Sequence, residues 1–163
     1  RSYRRALYGV LRGKELIMPN HCFNKISISE GNADGQSLQV LIESLKSEEN
    51  QTDFDFNAIL PMPPELENVG WGEAEEMNDI EKAKYKKEFG STSWYDWRVD
   101  KWGTKWNSYN CEIVEHEDDY VVYTFDTAWG PPTGVIEALR EQCPDFSISA
   151  FYDEPGMEMA GYY

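Results

Sequence analysis

The sequence lacks the features that mark membrane-spanning, secreted and disulfide-stabilised proteins. Among its 163 residues no apolar run approaches the roughly 18 residues that a membrane span requires, and no secretory leader is recognisable. The three cysteines, Cys22, Cys111 and Cys143, form no closely spaced pair, which argues against a disulfide framework. These absences favour a cytoplasmic protein that does not bind membranes.

Signatures of catalysis and of metal binding are missing as well. The available soft ligands include His21, Cys22, Cys111 and His116, but none of them stands at the spacing of a zinc site. Three cysteines are too few for an iron–sulfur cluster, which normally takes four. Neither a nucleophile motif nor a phosphate-binding glycine loop is present. The sequence therefore predicts no catalytic residue, no metal and no cofactor, and it disfavours an enzyme without excluding one.

Positive charge is scarce. Lysine and arginine number 15 against 30 aspartates and glutamates, which gives a net charge of −15. Residues 1–17 hold five of the basic residues and one acidic residue, so the remainder carries 10 − 29 = −19. A field of this sign repels nucleic acid phosphates and permits a basic protein partner. An acidic surface is predicted at Glu73, Glu75 and Glu76, and plain solubility is its competing explanation.

Tryptophan, in contrast, is abundant and concentrated. Four of the six tryptophans lie within residues 94–107, and a fifth, Trp129, follows in the run 125–132. Because soluble monomers avoid large exposed apolar patches, we expect Trp97, Trp102 and Trp129 to be mostly buried. The alternative is an aromatic-lined pocket or interaction surface with a convergent acid and base. The candidate residues for that site are Trp94, Trp97, Trp102, Lys105, Trp106, Asp126 and Trp129.

Hydrophobic periodicity predicts an α+β fold. Alternating apolar residues indicate strands, and apolar residues at i, i+3, i+4 and i+7 indicate helices. The predicted core elements are, in order, strand 22–29, helix 37–48, strand 53–60, strand 120–128, helix 133–143 and strand 146–152. This βαββαβ order is the ferredoxin-like pattern, in which an antiparallel sheet carries its helices on one face.

Three further segments surround this core pattern. They are an extension at 1–17 before a single domain over 18–163, a large tryptophan-rich helical insertion at 61–118, and an added edge strand at 157–163. The insertion is expected to hold two helices, near 74–88 and 94–102, and to end in a strand that pairs with strand 120–128. The sequence ends at Tyr163 with no polar tail, a pattern that is compatible with a native chain that continues.

Several motifs, taken in order, resemble the YubB-type ferredoxin-like family, whose members are encoded on bacterial plasmids, phages and prophages. The motifs are MPNHCFN at 18–24, FDFN at 54–57, LPMP at 60–63, WYDW at 94–97, WGTKWN at 102–107, FDTAW at 125–129 and EPGM at 154–157. The resemblance spans residues 18–163. It implies a ferredoxin-like fold and a bacterial host cell, and it implies neither an iron–sulfur cluster nor any catalytic residue.

These observations combine into one functional hypothesis and one alternative. A strongly acidic protein of a mobile element, without catalytic motifs, favours an interaction module that binds a basic surface of a host protein. Imitation of DNA and interference with host defence are specific forms of that hypothesis. Direct binding of nucleic acid is not expected, because the net field repels phosphates. The alternative is a small-molecule or catalytic pocket built from the tryptophan and aspartate motifs.

Overall fold

A computed structural model gives the structure of residues 20–31 and 37–163. This described part of the chain forms five strands: β1 His21–Glu30, β2 Tyr109–His116, β3 Tyr120–Ala128, β4 Phe146–Glu154 and β5 Met159–Tyr162. Its α-helices are α1 Leu38–Leu45, α2 Phe56–Ile59, α3 Trp71–Glu76, α4 Asp79–Phe89, α5 Trp94–Lys101 and α6 Thr133–Gln142, with a 3₁₀ turn at Pro64–Leu66. The predicted extension at 1–17 lies outside the described residues.

The strands form one antiparallel sheet in the order β2-β3-β1-β4-β5. β1 and β2 run in the same direction with β3 between them, since each pairs antiparallel with β3. Without β5, this is the strand order of a βαββαβ ferredoxin-like domain, so the predicted fold class is confirmed. The predicted added edge strand is β5, which pairs with β4.

One face of the sheet is buried and the other is open. Along β1, Cys22, Asn24, Ile26 and Ile28 are fully buried, whereas the alternate side chains are exposed or half-buried. Because successive side chains of a strand point to opposite faces, these four residues define the covered face. The apolar stripes of α1 and α6 join the same hydrophobic core as β1. The other side of the sheet is called the open face below.

The predicted strand at 53–60 is wrong. Phe54 and Phe56 alternate with aspartates and both rings are buried, as in a strand, but the backbone forms a bend at Phe54 and helix α2 from Phe56. The Asp55 carboxylate accepts a hydrogen bond from the backbone nitrogen of Asn57 at 3.0 Å, and this cap starts helix α2. The second core strand is β2, so the insertion between α1 and β2 is 46–108 rather than the predicted 61–118.

Capping residues set the limits of the other helices in the insertion. The helix predicted near 74–88 is divided into α3 and α4, because the Asn78 side chain accepts hydrogen bonds from two backbone nitrogens and starts a second helix. The helix predicted at 94–102 is confirmed as α5. Ser93 caps it by accepting from the backbone nitrogen of Asp96 at 3.1 Å. Gly103 follows α5 with a φ of 90°, a conformation that favours glycine.

A cluster of aromatic rings joins the insertion to the sheet. Phe54 stacks on Phe125 of β3 with ring centroids 5.0 Å apart, and Phe56 meets Trp102 edge to face at 5.6 Å. Trp97 packs edge to face on Trp102 at 6.0 Å. These rings belong to the same core as the apolar residues of the covered face, so the insertion is a packed part of the domain.

Candidate functional site

The structure divides the predicted site residues into two groups rather than one pocket. Trp97 and Trp102 are buried in the core on the covered side of the sheet, and Trp94 packs against that core. Asp126 is half-buried on β3, where it alternates with the buried Phe125 and therefore points to the open face. The sheet itself separates the first group from Asp126. The predicted burial of Trp97 and Trp102 is confirmed.

The first group surrounds the guanidinium of Arg98. Its central carbon lies 5.3 Å from the Trp94 ring centroid and 4.8 Å from the Trp102 ring centroid, within the range of cation–π attraction. Burial lowers the pKa of Arg98, while Glu67 and Asp55 act in the opposite direction. The Trp102 indole donates to the backbone oxygen of Leu60 at 2.8 Å. These contacts hold α5 against the segment that precedes it, which is a structural role.

A polar network fixes the end of the WGTKWN motif. The Asn107 side chain donates to Asp55 Oδ1 at 2.6 Å and accepts from the backbone nitrogen of Phe56 at 2.9 Å. The hydroxyls of Thr52 and Ser108 are hydrogen-bonded at 2.7 Å and both residues are buried. Buried polar groups with their partners in place give a segment a unique position. The network therefore explains these motif residues without any ligand.

The second group lies where β2 begins and β3 ends. Lys105 Nζ sits 4.4 Å from the Trp106 ring centroid, and Trp106 meets Tyr109 edge to face at 6.2 Å. The Tyr109 hydroxyl is 2.9 Å from His21 Nδ1 and donates to the backbone oxygen of Thr127 at 3.1 Å. Burial, together with the charge of Asp126, raises the pKa of Tyr109 to about 12, so this phenol stays protonated at neutral pH. Burial also lowers the pKa of Lys105.

The predicted burial of Trp129 is wrong. Its side chain is 41% exposed. β3 ends at Ala128, and the chain turns at Trp129, which has a φ of 74°. The backbone nitrogen of Trp129 donates to the Asn20 carbonyl at 2.9 Å. A bulky residue in the left-handed region is uncommon and carries backbone strain. Thr104 fastens the preceding residue by donating to the Ala128 carbonyl at 2.9 Å.

Tryptophan does not line two depressions of the surface, one along residues 46–53 and one on the open face beside Lys25 and Phe151. No group of three or more His, Cys, Asp or Glu side chains gathers as metal ligands within residues 20–31 and 37–163. Across the same residues, no helix is long and apolar enough to cross a bilayer.

The cysteines do not offer an activated nucleophile. Burial raises the pKa of Cys22 and of Cys111 to about 11 each. A thiol of that pKa is almost wholly protonated at neutral pH, whereas catalytic thiols have lowered values. The side chains of His21 and Cys22 point to opposite faces of the sheet, because the two residues are adjacent on β1. These side chains therefore do not form a cysteine–histidine pair.

The acidic surface predicted on α3 is exposed but lies beside basic residues. Glu73, Glu75 and Glu76 are all exposed. Lys82 of α4 donates to the backbone oxygen of Glu75 at 3.2 Å. Three more lysines of α4 follow at Lys84, Lys86 and Lys87. The negative field of this surface is therefore partly balanced.

The β2–β3 hairpin carries a more strongly acidic surface, which the sequence analysis did not single out. We define the acidic hairpin by its exposed carboxylates, Glu112, Glu115, Glu117, Asp118 and Asp119. No lysine or arginine occurs in residues 106–139, and Arg140 is the one basic residue of 106–163. Its guanidinium donates to the backbone oxygens of Ile148 and Tyr163, so it does not neutralise the hairpin. The gap in basic residues was the signal available in the sequence.

The fold and its parts define an α+β domain of ferredoxin-like topology with an aromatic insertion. Residues 101–163, from the end of α5 to the end of the chain, match the family described as the ferredoxin-like domain in Api92-like protein. The crystal structure of protein api92 from Yersinia pseudotuberculosis superimposes with a TM-score of 0.53 at 12% identity, covering 89% of this chain and 93% of that chain. At this identity the likeness shows the fold alone. No curated protein matches the sequence.

Proposed function

We propose that this protein is a non-enzymatic interaction module that binds a basic surface of a host protein through its acidic hairpin. The observation that carries the proposal is the one-sided charge of residues 106–139, which hold every carboxylate of the hairpin and neither lysine nor arginine. Among the described residues, the carboxylates in ion pairs are those of Glu43 and Asp100, so no described lysine or arginine is ion-paired with the hairpin. Unpaired exposed carboxylates attract a basic partner over several ångströms and speed its encounter.

The environment of the predicted pocket residues supports an interaction module over an enzyme. The buried tryptophans fill a core, the thiols have raised pKa values, and the described residues gather no metal-ligand cluster. A competing explanation for the charge is protection of β2, which is an edge strand of the sheet. Charged side chains on an edge strand prevent edge-to-edge aggregation. The experiment below separates these two explanations.

The class of partner follows from charge and from the motifs. The motifs resemble the YubB-type family of plasmids, phages and prophages, and this resemblance supports a protein of the bacterial host as the target. DNA-binding proteins present basic clefts, and a row of carboxylates occupies such a cleft in place of phosphates. We therefore favour a DNA-metabolism or defence protein as the partner, and we expect no direct DNA binding by this chain because its net negative field repels phosphates.

Affinity capture from bacterial lysate tests the proposal with two matched variants. The first variant reverses three hairpin charges, Glu115→Lys, Glu117→Lys and Asp118→Lys, and the second reverses Glu73→Lys, Glu75→Lys and Glu76→Lys on α3. We expect the wild type and the α3 variant to capture a DNA-binding protein that high salt and duplex DNA both release. We expect the hairpin variant to lose it. If both variants capture the partner equally, or if salt and duplex DNA release no captured protein, edge protection remains as the explanation of the hairpin charge.

One observation favours a second candidate function, a site for a small molecule. Trp129 is exposed and strained, and Thr104 joins its turn to the loop that carries Lys105 and Trp106. Residues with a strained backbone cluster at active sites and ligand clamps. Quenching of tryptophan fluorescence in a metabolite screen, abolished by Trp129→Ala and unaffected by Trp71→Ala, would support this site. Quenching that both variants retain would oppose it.

A further inference from the structure

The open face of the sheet carries an exposed aromatic ring between two carboxylates. Phe23 of β1 is directly opposite Asp126 of β3 and directly opposite Asp153 of β4. Residues paired in this way project to the same face of a sheet, with Cβ atoms about 4.5–5.5 Å apart. Phe23 is 41% exposed, Asp153 is exposed and Asp126 is half-buried. We call Asp126, Phe23 and Asp153 the acid–aromatic row.

The row is held in place, and its two carboxylates share the open face with one cation of β1, Lys25. The Asn110 side chain donates to Asp126 Oδ2 at 2.9 Å, which orients this carboxylate without cancelling its charge. Neither Asp126 nor Asp153 takes part in an ion pair within the described residues. The carboxylates of Asp126 and Asp153 repel each other across the ring of Phe23, so a cation bound between them relieves that repulsion.

A guanidinium group fits the row better than an ammonium group does. Its flat face stacks on an aromatic ring, and its fork of N–H donors reaches carboxylates on both sides. An ammonium is a compact point charge that keeps its water more strongly. We propose that the Asp126–Phe23–Asp153 row binds an arginine side chain of the protein partner. This inference rests on the proposed function, because it names the group of the basic partner that the sheet recognises.

The neighbouring residues on the open face indicate which kind of partner residue would lie beside that arginine. Lys25, two residues along β1, is opposite Phe151 of β4, and Phe151 meets Tyr162 of β5 edge to face at 5.3 Å. These three residues, with Ser27 and Ser149, line a depression of about 240 Å³. Side chains i and i+2 of an extended strand lie about 7 Å apart on one side. An extended partner segment with arginine followed two positions later by an apolar residue would therefore place the arginine on the row and the apolar side chain in the depression.

The test titrates the isotopically labelled full chain with a blocked Gly-Arg-Gly-Leu peptide and follows backbone amide shifts by NMR. A peptide with citrulline in place of arginine has the same shape without the charge, and a lysine peptide has the charge without the fork. We expect the arginine peptide to shift amides of 22–24, 126 and 153. Because its charge-assisted hydrogen bonds are about twice as strong as neutral ones, we expect the citrulline peptide to bind at least about tenfold more weakly.

Three variants make the assignment specific to the row. Phe23→Leu keeps an apolar side chain without the ring, and Asp153→Asn keeps the shape without the charge. Glu137→Gln is the matched control, since it removes one exposed carboxylate from α6. We expect Phe23→Leu to weaken the arginine peptide about two- to fivefold and Asp153→Asn to weaken it further. Glu137→Gln should leave the affinity unchanged, and thermal melts verify that each variant folds.

Equal binding of the citrulline or lysine peptide, or equal loss in the Glu137→Gln control, would overturn the inference. A further control replaces the arginines of residues 1–17 with glutamine in the absence of peptide. If this change shifts the amides of the row, the chain fills its own site and the inference is overturned. Failure here leaves the proposed function standing if the hairpin variant still loses its partner from lysate. Binding at the row with unchanged capture by the hairpin variant would instead refute the proposed function.

Discussion

Replacing Trp97 with alanine removes a side chain that is 6% exposed and packs edge to face on Trp102 at 6.0 Å. A buried aromatic side chain removes about 150–250 Å² from water, which corresponds to about 4–6 kcal/mol as an upper bound. Measured tryptophan-to-alanine changes in cores cost about 3–5 kcal/mol because the cavity relaxes only partly. We therefore expect Trp97→Ala to lower the free energy of unfolding by about 3–5 kcal/mol.

Urea denaturation followed by circular dichroism measures this loss, and Trp71→Ala is the control. Trp71 is 64% exposed at the start of α3, so its removal should change the free energy of unfolding by less than about 0.5 kcal/mol. A loss below about 1 kcal/mol for Trp97→Ala would refute the view that the insertion is part of the core. An equal loss in both variants would show that the insertion packs differently from the arrangement described above.

Three further predictions concern packing, titration and charge. A Cβ at Gly134 would overlap the Lys101 backbone oxygen, so Gly134→Ala should destabilise the protein by about 1–3 kcal/mol in urea melts, whereas Gly72→Ala, where a Cβ meets nothing within 4 Å, should not. Folding raises the pKa of Cys22 from 9.0 to about 11, so the associated stability is complete below about pH 9 and is lost as pH rises toward 11; melts that are flat across this range would contradict it. Reversal of the hairpin charges should leave the melting temperature unchanged, because exposed carboxylates without ion pairs contribute little to folding; a clear fall would give them a structural role.

Local patterns predicted the elements whose signals do not depend on distant residues. β1, β3, β4 and α5 follow from alternation or from a capping serine next to an apolar face. The strand predicted at 53–60 failed because Asp55 serves as a helix cap, so that Phe54 is buried from a bend and Phe56 from helix α2 rather than both from a strand. The sequence alone does not distinguish these two ways of burying alternate residues.

The candidate site is built from residues that lie far apart in the sequence, so no local pattern predicts it. Phe23, Asp126 and Asp153 belong to three strands, and only the register of β1 with β3 and β4 places them side by side. The expected burial of Trp129 rested on the general rule that soluble monomers avoid large exposed apolar patches. Its exposure follows from a turn with positive φ, which β-strand periodicity does not report. The acidic hairpin was visible in the sequence as a long stretch without basic residues.

The rate of association with the captured partner, measured against ionic strength for the wild type and both charge-reversal variants, tests the central claim most directly. Exposed charges are screened over about 8 Å at physiological salt, so the wild-type rate should fall steeply as salt increases. The hairpin variant should associate slowly at every salt concentration, and the α3 variant should follow the wild type. A salt-independent rate, or equal rates for the wild type and the hairpin variant, would contradict recognition through the acidic hairpin.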